Sequence, residues 1–199
     1  MQTTNDDARP IAWSEGAWSE PPVQVSEEGG DLAVTAAEGS DAWRHTAYGF
    51  VHDDAHALLA LFVPGTAVEV VFTADLMAEF DQAGIMVRID EEHWVKAGLE
   101  FADGVLGVGA VVTDRVSDWS VGAVPEWLGQ RVRMRVSWSN DALTVRAGID
   151  GEPLRLVRVA PFAQSQAAMA GPYLAAPTRA GLTVRFHQWQ VTGADARIH

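Results

Sequence analysis

The chain of 199 residues has no cysteine and a single lysine, Lys96, and no apolar stretch in it is long enough for a membrane-spanning helix. The absence of cysteine excludes disulfides, thiolate metal sites, iron–sulfur clusters and cysteine nucleophiles. A spanning helix needs about 18 consecutive apolar residues, so we expect no membrane partner. Residues 1–7 lack the basic start and apolar stretch of a signal peptide. We therefore expect a cytoplasmic protein.

Positive charge is also scarce. Fourteen basic residues stand against 27 acidic ones, which gives a net charge of −13. A field of this sign repels phosphate backbones, so we expect no nucleic-acid partner.

Residues 1–41 hold nine acidic residues and one basic residue, Arg9. Since polar termini are usually poorly ordered, we predict a flexible acidic N-terminus over residues 1–10 and one domain over residues 11–199.

Alternation of apolar and polar residues dominates the chain from Leu32 onward and predicts an all-β protein. Helical propensity is confined to residues 163–170, between Pro161 and Gly171, where it allows one or two turns. At least eight strands in one domain favour a two-sheet sandwich or a barrel. The predicted strands cover residues 68–73, 83–89, 94–101, 106–113, 132–138, 143–149, 154–159 and 182–186.

The pairing of three consecutive strands can be predicted from residues 82–113. Alternation places Val95, Ala97 and Leu99 on the core face and the intervening residues on the opposite face. Asp103-Gly104 is a strong signal for a two-residue type I′ hairpin, which pairs residues whose numbers sum to 207. The preceding corner at residues 90–93 must then be a three- or five-residue loop, because both strands have to bury the same face.

The five-residue loop brings Gly84, Gly98 and Gly109 side by side across the three strands. Glycine in a strand interior often marks a bulge or the close approach of a ligand. Two interpretations remain open. The glycines either let a concave sheet bend sharply or floor a trough for a ligand.

The face that carries the glycines also carries an unusual mixture of polar and aromatic residues. A tryptophan beside charged donors suits a sugar, because the indole covers the apolar face of a pyranose while the donors meet its hydroxyls. Alternatively, a loop covers Trp94, and Lys96 and Glu100 form an ordinary ion pair. Trp119, in Ser117–Ser120, either reaches the same rim or closes the edge of the core. The polar and aromatic residues of this face are Gln82, Arg88, Trp94, Lys96 and Glu100.

Residues 39–56 form a second polar and aromatic run, with the composition of a binding loop. Within it, His52, Asp53, Asp54 and His56 carry groups suited to zinc or manganese. Their spacing matches no known metal signature, so a solvated turn is the favoured interpretation. We predict neither a metal nor another cofactor.

Signals for catalysis are weak, since the sequence has no phosphate-binding glycine loop, nucleophile elbow or metal-binding His-Glu helix motif. A glycosidase needs two carboxylates about 5–9.5 Å apart, and Glu100 could form such a pair with Asp81 or Asp118. However, Lys96 on the same face is expected to hold Glu100 ionised, which is unsuitable for a general acid. Binding is therefore the first hypothesis and hydrolysis the weaker alternative.

A set of sequence motifs is distributed along the chain. They are Trp43-Arg44-x-Thr46-x-Tyr48-Gly49-Phe50, Asp81–Arg88, Trp94-x-Lys96-x-Gly98-x-Glu100, Asp103-Gly104, Val111-Val112-Thr113 and Ser117–Ser120. Together they resemble a family of bacterial and fungal proteins labelled regulation of enolase protein, concanavalin A-like. The likeness extends from about residue 13 to residue 191, including the ending from Pro161 to Phe186.

This resemblance implies a concanavalin A-like jelly-roll sandwich of two antiparallel sheets, one of them concave. Because the fold hosts many functions, carbohydrate binding is an analogy only. We expect a non-catalytic domain that binds a saccharide or another small polar ligand on the concave sheet. The alternative is a protein-interaction module that regulates a metabolic enzyme. The expected ligand-binding residues are Trp43, Arg44, Tyr48, Gln82, Arg88, Trp94, Lys96, Glu100 and Trp119.

Overall fold

The computed structural model describes residues 8–162 and 168–198. Short 3₁₀ turns cover Trp13–Glu15 and Pro125–Trp127, and every other regular element within these residues is a strand. The strands are β1 (Arg9–Pro10), β2 (Ala17–Trp18), β3 (Gln24–Glu28), β4 (Asp31–Thr35), β5 (Ala42–Arg44), β6 (Val51–Asp53), β7 (His56–Phe62), β8 (Thr66–Ala74), β9 (Gln82–Arg88), β10 (His93–Ala102), β11 (Val105–Asp114), β12 (Val116–Ala123), β13 (Val132–Ser139), β14 (Ala142–Ile149), β15 (Arg155–Pro161), β16 (Ala168–Ala175) and β17 (Thr183–Gly193).

Two antiparallel sheets form a jelly-roll sandwich, as predicted. The front sheet has the order β12-β11-β10-β9-β16-β7-β2, and the back sheet has the order β15-β14-β13-β8-β17-β4-β3, with β1 beside β17. β16 lies between β9 and β7, so strands distant in sequence are neighbours in space. The hairpin of β5 and β6 is a separate two-stranded sheet.

The predicted register of β9, β10 and β11 is confirmed. Phe101 pairs with Leu106 across the hairpin, and Trp94 pairs with Arg88 across a five-residue loop. Asp103 and Gly104 have φ values of 52° and 76°, as a type I′ turn requires. The Asp90 carboxylate holds the other corner, because it accepts the backbone N–H groups of residues 92 and 93.

Alternation along these strands separates two apolar clusters. Val95, Ala97 and Leu99 belong to the main core between the two sheets. Trp94 belongs to a second cluster on the opposite face, together with residues of β5 and β16. The front sheet therefore carries the sandwich core on one side and a smaller buried cluster on the other. That second cluster is covered by the β5–β6 hairpin.

The glycine row lies where the backbones of neighbouring strands approach closely. Gly98 pairs with both Gly84 and Gly109, and a Cβ on Gly98 would lie 2.1 Å from the carbonyl oxygen of Ala83. Tyr173, which pairs with Gly84, is buried over this row and leaves a space of only about 10 Å³ beside it. Within the described residues, these glycines therefore do not floor a ligand trough.

Two boundaries differ from the sequence predictions. The flexible N-terminal segment was predicted to end at residue 10, but Arg9 and Pro10 already pair with β17, and the following Ile11 is buried. In the predicted helical segment, residues 168–170 begin β16, whereas residues 163–167 lie outside the described part of the chain.

Among the described residues, no helix has the length and apolar character that crossing a membrane requires.

Candidate ligand-binding site

The β5–β6 hairpin lies against the outer face of the front sheet. Its strands pair Trp43 with His52, and the turn between them is closed by a hydrogen bond from the His45 N–H to the Phe50 carbonyl. Three residues of the turn, His45, Ala47 and Gly49, have positive φ, so the chain reverses sharply there. The hairpin covers the part of the sheet that carries Trp94.

Ion pairs and hydrogen bonds fix the hairpin to the sheet. The Arg88 guanidinium donates to both carboxylate oxygens of Asp53, at 2.5 and 2.7 Å. This pairing raises the pKa of Arg88 above its ordinary value. On the other strand, the Arg44 side chain donates to Glu92 at 2.8 Å, and its backbone N–H donates to the Ser117 hydroxyl at 2.9 Å. The hairpin is thus held at both edges.

A cavity of about 290 Å³ remains between the hairpin and the front sheet. Its floor is formed by polar side chains of β9 and β10 together with Asp41, which precedes the hairpin. Its wall is mostly aromatic. The lining residues are Gly39, Asp41, Trp43, Tyr48, Phe50, His52, Phe80, Gln82, Lys96, Glu100, Val111, Trp119 and Pro177.

Asp41 organises the floor. Its Oδ1 accepts from the Lys96 ammonium at 2.9 Å and from the Gln82 side-chain amide at 3.0 Å. Burial opposes ionisation of Asp41, but the Lys96 charge and these hydrogen bonds outweigh it, so the pKa of Asp41 is below its ordinary value. Lys96 itself is only 3% exposed. The floor therefore contains a fixed ion pair with no net charge.

Gln82, on the cavity floor, has a side-chain oxygen with no hydrogen-bond donor among the described residues. Both hydrogens of its amide are engaged, by Asp41 at 3.0 Å and by the Phe80 carbonyl at 3.2 Å. Its Oε1 is buried and accepts no hydrogen bond from the described residues. A buried acceptor without a donor costs free energy, so a ligand hydroxyl or N–H placed there would stabilise the site.

Glu100 behaves differently from the prediction. The Lys96–Glu100 ion pair, considered as an alternative, is not found among the described residues, because the Lys96 ammonium is engaged by Asp41. Burial raises the pKa of Glu100 to about 7, although the Lys96 charge acts in the opposite direction, and Asp41 and Glu79 raise it further. The argument that Lys96 keeps Glu100 ionised was therefore wrong. Near neutral pH a substantial fraction of Glu100 is an uncharged carboxylic acid.

The two carboxylates considered as partners of Glu100 lie elsewhere. Asp81 is fully buried and accepts from the Arg179 guanidinium at 2.8 Å. Asp118 is on edge strand β12 and pairs with Arg158 at 2.8 Å. Neither residue lines the cavity. The carboxyl groups that do meet there are Asp41 and Glu100.

The wall is a ladder of rings along the hairpin. Trp43, Tyr48, Phe50 and His52 follow one another with centroid distances of 5.7, 5.4 and 5.0 Å. Tyr48 and Phe50 remain 57% and 43% exposed, so they form the outer rim. Trp119 lines the cavity from the sheet, where β12 pairs it with Val111. Rings from the hairpin and from the sheet thus line one slot, which suits a molecule with apolar faces.

Six of the nine predicted binding residues line this cavity, and three do not. Trp94 is 1% exposed beneath the hairpin, so the alternative in which a loop covers it is correct. Arg44 and Arg88 hold the hairpin in place and do not line the cavity. The six that line it are Trp43, Tyr48, Gln82, Lys96, Glu100 and Trp119.

Of the candidate metal ligands, His52 Nδ1 and Asp54 Oδ1 lie 3.6 Å apart, but the other two are engaged elsewhere. Asp53 is paired with Arg88, and the His56 ring bonds to the Ala37 N–H and the Glu20 carbonyl at 3.0 and 3.1 Å. In residues 8–162 and 168–198, no group of three or more potential ligands is arranged to hold a metal ion.

The most important residue missed in the list of candidates is Asp41. It stands in the aromatic run at residues 39–56, which was recognised as a binding loop, and it is 55 positions from its partner Lys96. Phe80 and Pro177 were also missed, because they come from loops with no alternation to indicate a face.

The fold and the cavity define a jelly-roll domain with a partly open cavity on the outer face of its front sheet. The chain belongs to the family described as Protein of unknown function (DUF1349), whose model matches residues 18–194. It is 37% identical over 185 residues to Regulation of enolase protein 1 of Saccharomyces cerevisiae, covering 90% of each chain. It is also 31% identical over 127 residues to an uncharacterised protein of Emericella nidulans, covering 59% of this chain and 63% of that one.

Solved structures show the same architecture. A functionally unknown protein from Saccharomyces cerevisiae matches with a TM-score of 0.88 and 34% identity, over 94% of this chain and all of that one. A xylan beta-1,4-xylosidase from a Bacillus halodurans strain matches with a TM-score of 0.69 and 12% identity. That match covers 94% of this chain and 39% of the xylosidase chain. At this identity the likeness establishes the fold alone.

Proposed function

We propose that the protein binds a small uncharged polar molecule, of the saccharide class, in the cavity between the hairpin and the front sheet. The observation that carries this proposal is the composition of the cavity. Its wall is mostly aromatic, and its floor places hydrogen-bonding groups of Lys96, Gln82 and Glu100 together. Enclosed apolar pockets with a few convergent polar groups are the usual form of small-molecule sites.

Each group has a definite role in this proposal. Trp119 on one side and the hairpin rings on the other cover the apolar faces of the ligand. The Lys96 ammonium gives one donor to Asp41 and has two left for ligand oxygens. Gln82 Oε1 accepts a hydrogen bond from a ligand hydroxyl. The Glu100 carboxyl group forms a further hydrogen bond with a ligand oxygen. Hydroxyl groups, which both donate and accept, fit this mixture.

The charge of the floor favours an uncharged ligand. Lys96 is neutralised by Asp41 at 2.9 Å, so the cavity offers no unpaired cation to a phosphate or a carboxylate. The whole chain carries −13, which repels anions further. The name of the xylosidase refers to a saccharide, but that likeness extends to the fold alone, and the ligand class proposed here follows from the cavity.

We expect Trp119→Ala to weaken saccharide binding by about tenfold or more, because it removes one aromatic face of the slot. Saturation-transfer NMR with an equimolar mixture of D-xylose, L-arabinose, D-glucose, D-galactose, xylobiose and lactose measures binding and identifies the bound sugar. Trp13→Ala is the matched control, since Trp13 is also half-buried but lies outside the cavity. Unchanged binding by Trp119→Ala, or no signal from the wild type, would refute the proposal.

Binding is favoured over hydrolysis because of how Asp41 is held. A glycosidase requires a second carboxylate free to act as a base or nucleophile. Asp41 Oδ1 already accepts from Lys96, Gln82 and the Ala42 N–H. Glu100 has the protonation of a general acid, but its cavity neighbour Asp41 is paired with Lys96 and has a lowered pKa, which makes it a weaker base or nucleophile.

A second candidate is a protein-interaction module that acts on a metabolic enzyme. The relative named Regulation of enolase protein 1 supports it, as does the apolar tip of the hairpin, where Tyr48, Phe50 and Val51 are 57%, 43% and 44% exposed. Such surface residues commonly mark interfaces.

If this candidate is correct, purified enolase should bind the wild type in calorimetry, and Tyr48→Ser combined with Phe50→Ser should abolish the heat of binding. Because an acidic surface would dock an oppositely charged one, affinity should fall as salt is added. Glu28→Gln, which changes an exposed residue on the back sheet, serves as the control. Heat that persists in the double variant would show that the hairpin tip is not the interface.

A further inference from the structure

Glu100 is the one carboxyl group of the cavity that lacks a partner among the described residues. On the sheet it pairs with Gln82 of β9 and Gly107 of β11. No hydrogen bond or ion pair joins its carboxyl to residues 8–162 or 168–198, whereas Asp41 has three donors. In the free protein, water in the cavity is therefore what solvates the ionised form of Glu100.

Charged and titratable groups face Glu100 from several elements. Lys96 lies four residues before Glu100 on the same face of β10, and its charge is balanced by Asp41 from the segment before β5. The Glu79 carboxylate, in the loop before β9, raises the pKa of Glu100 through its charge. The Tyr173 hydroxyl, on β16, is affected by the charges of both Glu100 and Asp41. His52 lines the same cavity from β6. Burial, followed by the Glu100 and Asp41 charges, raises the pKa of Tyr173 well above its ordinary value.

We propose that ligand binding is coupled to uptake of a proton at Glu100, so that the cavity selects an uncharged ligand with an oxygen that accepts a hydrogen bond from the neutral carboxylic acid. This inference rests on the proposed function. It adds the protonation state in which the site works and the direction of one hydrogen bond.

The coupling follows from desolvation. A ligand that fills the cavity displaces the water around Glu100, and removal of water disfavours the ionised form. In the free protein, burial already raises the pKa of Glu100 to about 7, and an occupied cavity raises it further. At pH values below the pKa of Glu100 in the ligand-free protein, the free protein and the complex both hold the proton, so the affinity does not change with pH. Above that value the free protein has lost the proton that the complex retains, so affinity falls.

The experiment measures the dissociation constant of each bound sugar from the same six-sugar mixture by saturation-transfer titration at pH 6 and pH 8. We expect wild-type affinity to be about five- to tenfold weaker at pH 8, as linkage to one group with a free-state pKa near 7 requires. Glu100→Gln retains a neutral donor of similar shape and should bind at both pH values with equal affinity.

Matched variants separate the alternatives. Histidine ordinarily changes charge between pH 5 and 8. His52→Gln removes one ring of the wall and is expected to weaken binding at both pH values, but the ratio of its dissociation constants at pH 8 and pH 6 must equal that of the wild type if Glu100 is responsible. A pH-independent wild type, a Glu100→Gln protein that keeps the dependence, or a His52→Gln protein that loses it would each overturn this inference while leaving the proposed binding function intact. Absence of sugar binding at both pH values would overturn the binding function as well.

Discussion

Gly98→Ala is expected to lower the free energy of unfolding by at least about 3 kcal/mol. A Cβ at this position would lie 2.1 Å from the Ala83 carbonyl oxygen and 2.8 Å from its carbonyl carbon. These are backbone atoms of the adjacent strand, so no side-chain movement relieves the clash. The strands must separate, which breaks the pairing of β9 and β10 in the middle of the front sheet.

Urea denaturation followed by tryptophan fluorescence measures this effect. Gly122→Ala is the matched control, because Gly122 lies on edge strand β12 and nothing is within 4 Å of a Cβ placed there. The control should remain close to the wild type. Wild-type stability in Gly98→Ala would show that the close approach of the strands is not required by the fold.

Lys96→Met is expected to lower the free energy of unfolding by about 3 kcal/mol or more, because it leaves the buried Asp41 carboxylate without its cation. Lys96 is 3% exposed and donates to Asp41 at 2.9 Å. Because a methionine side chain fills a volume similar to that of lysine, the loss of stability measures the contribution of the charge and the hydrogen bond. The position of Asp41 supports both the hairpin and the cavity floor, and the variant should therefore lose ligand binding as well.

The pH dependence of this loss has a definite sign. The pKa of Asp41 is lowered in the folded protein through Lys96 and its other donors, against the effect of burial. A carboxyl with a lowered pKa stabilises the fold at neutral pH and loses that contribution as pH falls through its folded value. The stability difference between the wild type and Lys96→Met should therefore narrow in acid.

Unfolding free energies over a range of pH test this account. Arg115→Met is the control, since Arg115 and Asp114 form an exposed ion pair at 3.2 Å, and such pairs contribute little. Equal losses in the two variants, or a Lys96→Met loss that does not depend on pH, would contradict the role assigned to the buried pair.

The register of the front-sheet strands could be predicted because two local signals agree. Alternation placed Val95, Ala97 and Leu99 inward, and Asp103-Gly104 fixed the hairpin. Both depend on residues close together in the chain, since side chains of a strand alternate whatever the rest of the protein does.

Two central strands were missed for identifiable reasons. β7 contains a run of consecutive buried residues from His56 to Leu59, so it lacks the alternation that marks a half-buried strand. β16 contains Gly171-Pro172, a pair that usually indicates a turn. Gly171 is needed there because a Cβ would lie 2.0 Å from the Leu58 carbonyl oxygen. These requirements arise only when the sheet is assembled.

In the candidate site too, features that depend on local sequence could be predicted, whereas contacts between distant residues could not. Alternation correctly placed Gln82, Lys96 and Glu100 on one face. It could not show that Asp41 would reach Lys96 from 55 residues away, or that Asp53 would pair with Arg88. Those long-range partners determine which polar residues remain available to a ligand and which hold the hairpin.

A crystal of the protein soaked in the six-sugar mixture would show whether the cavity between the hairpin and the front sheet holds a sugar. We predict density for one sugar in the 290 Å³ cavity, with one ring face against Trp119 and oxygens within hydrogen-bond distance of Lys96, Gln82 and Glu100. Water alone in a cavity open to the soaking solution, or a sugar bound only at another surface, would contradict it.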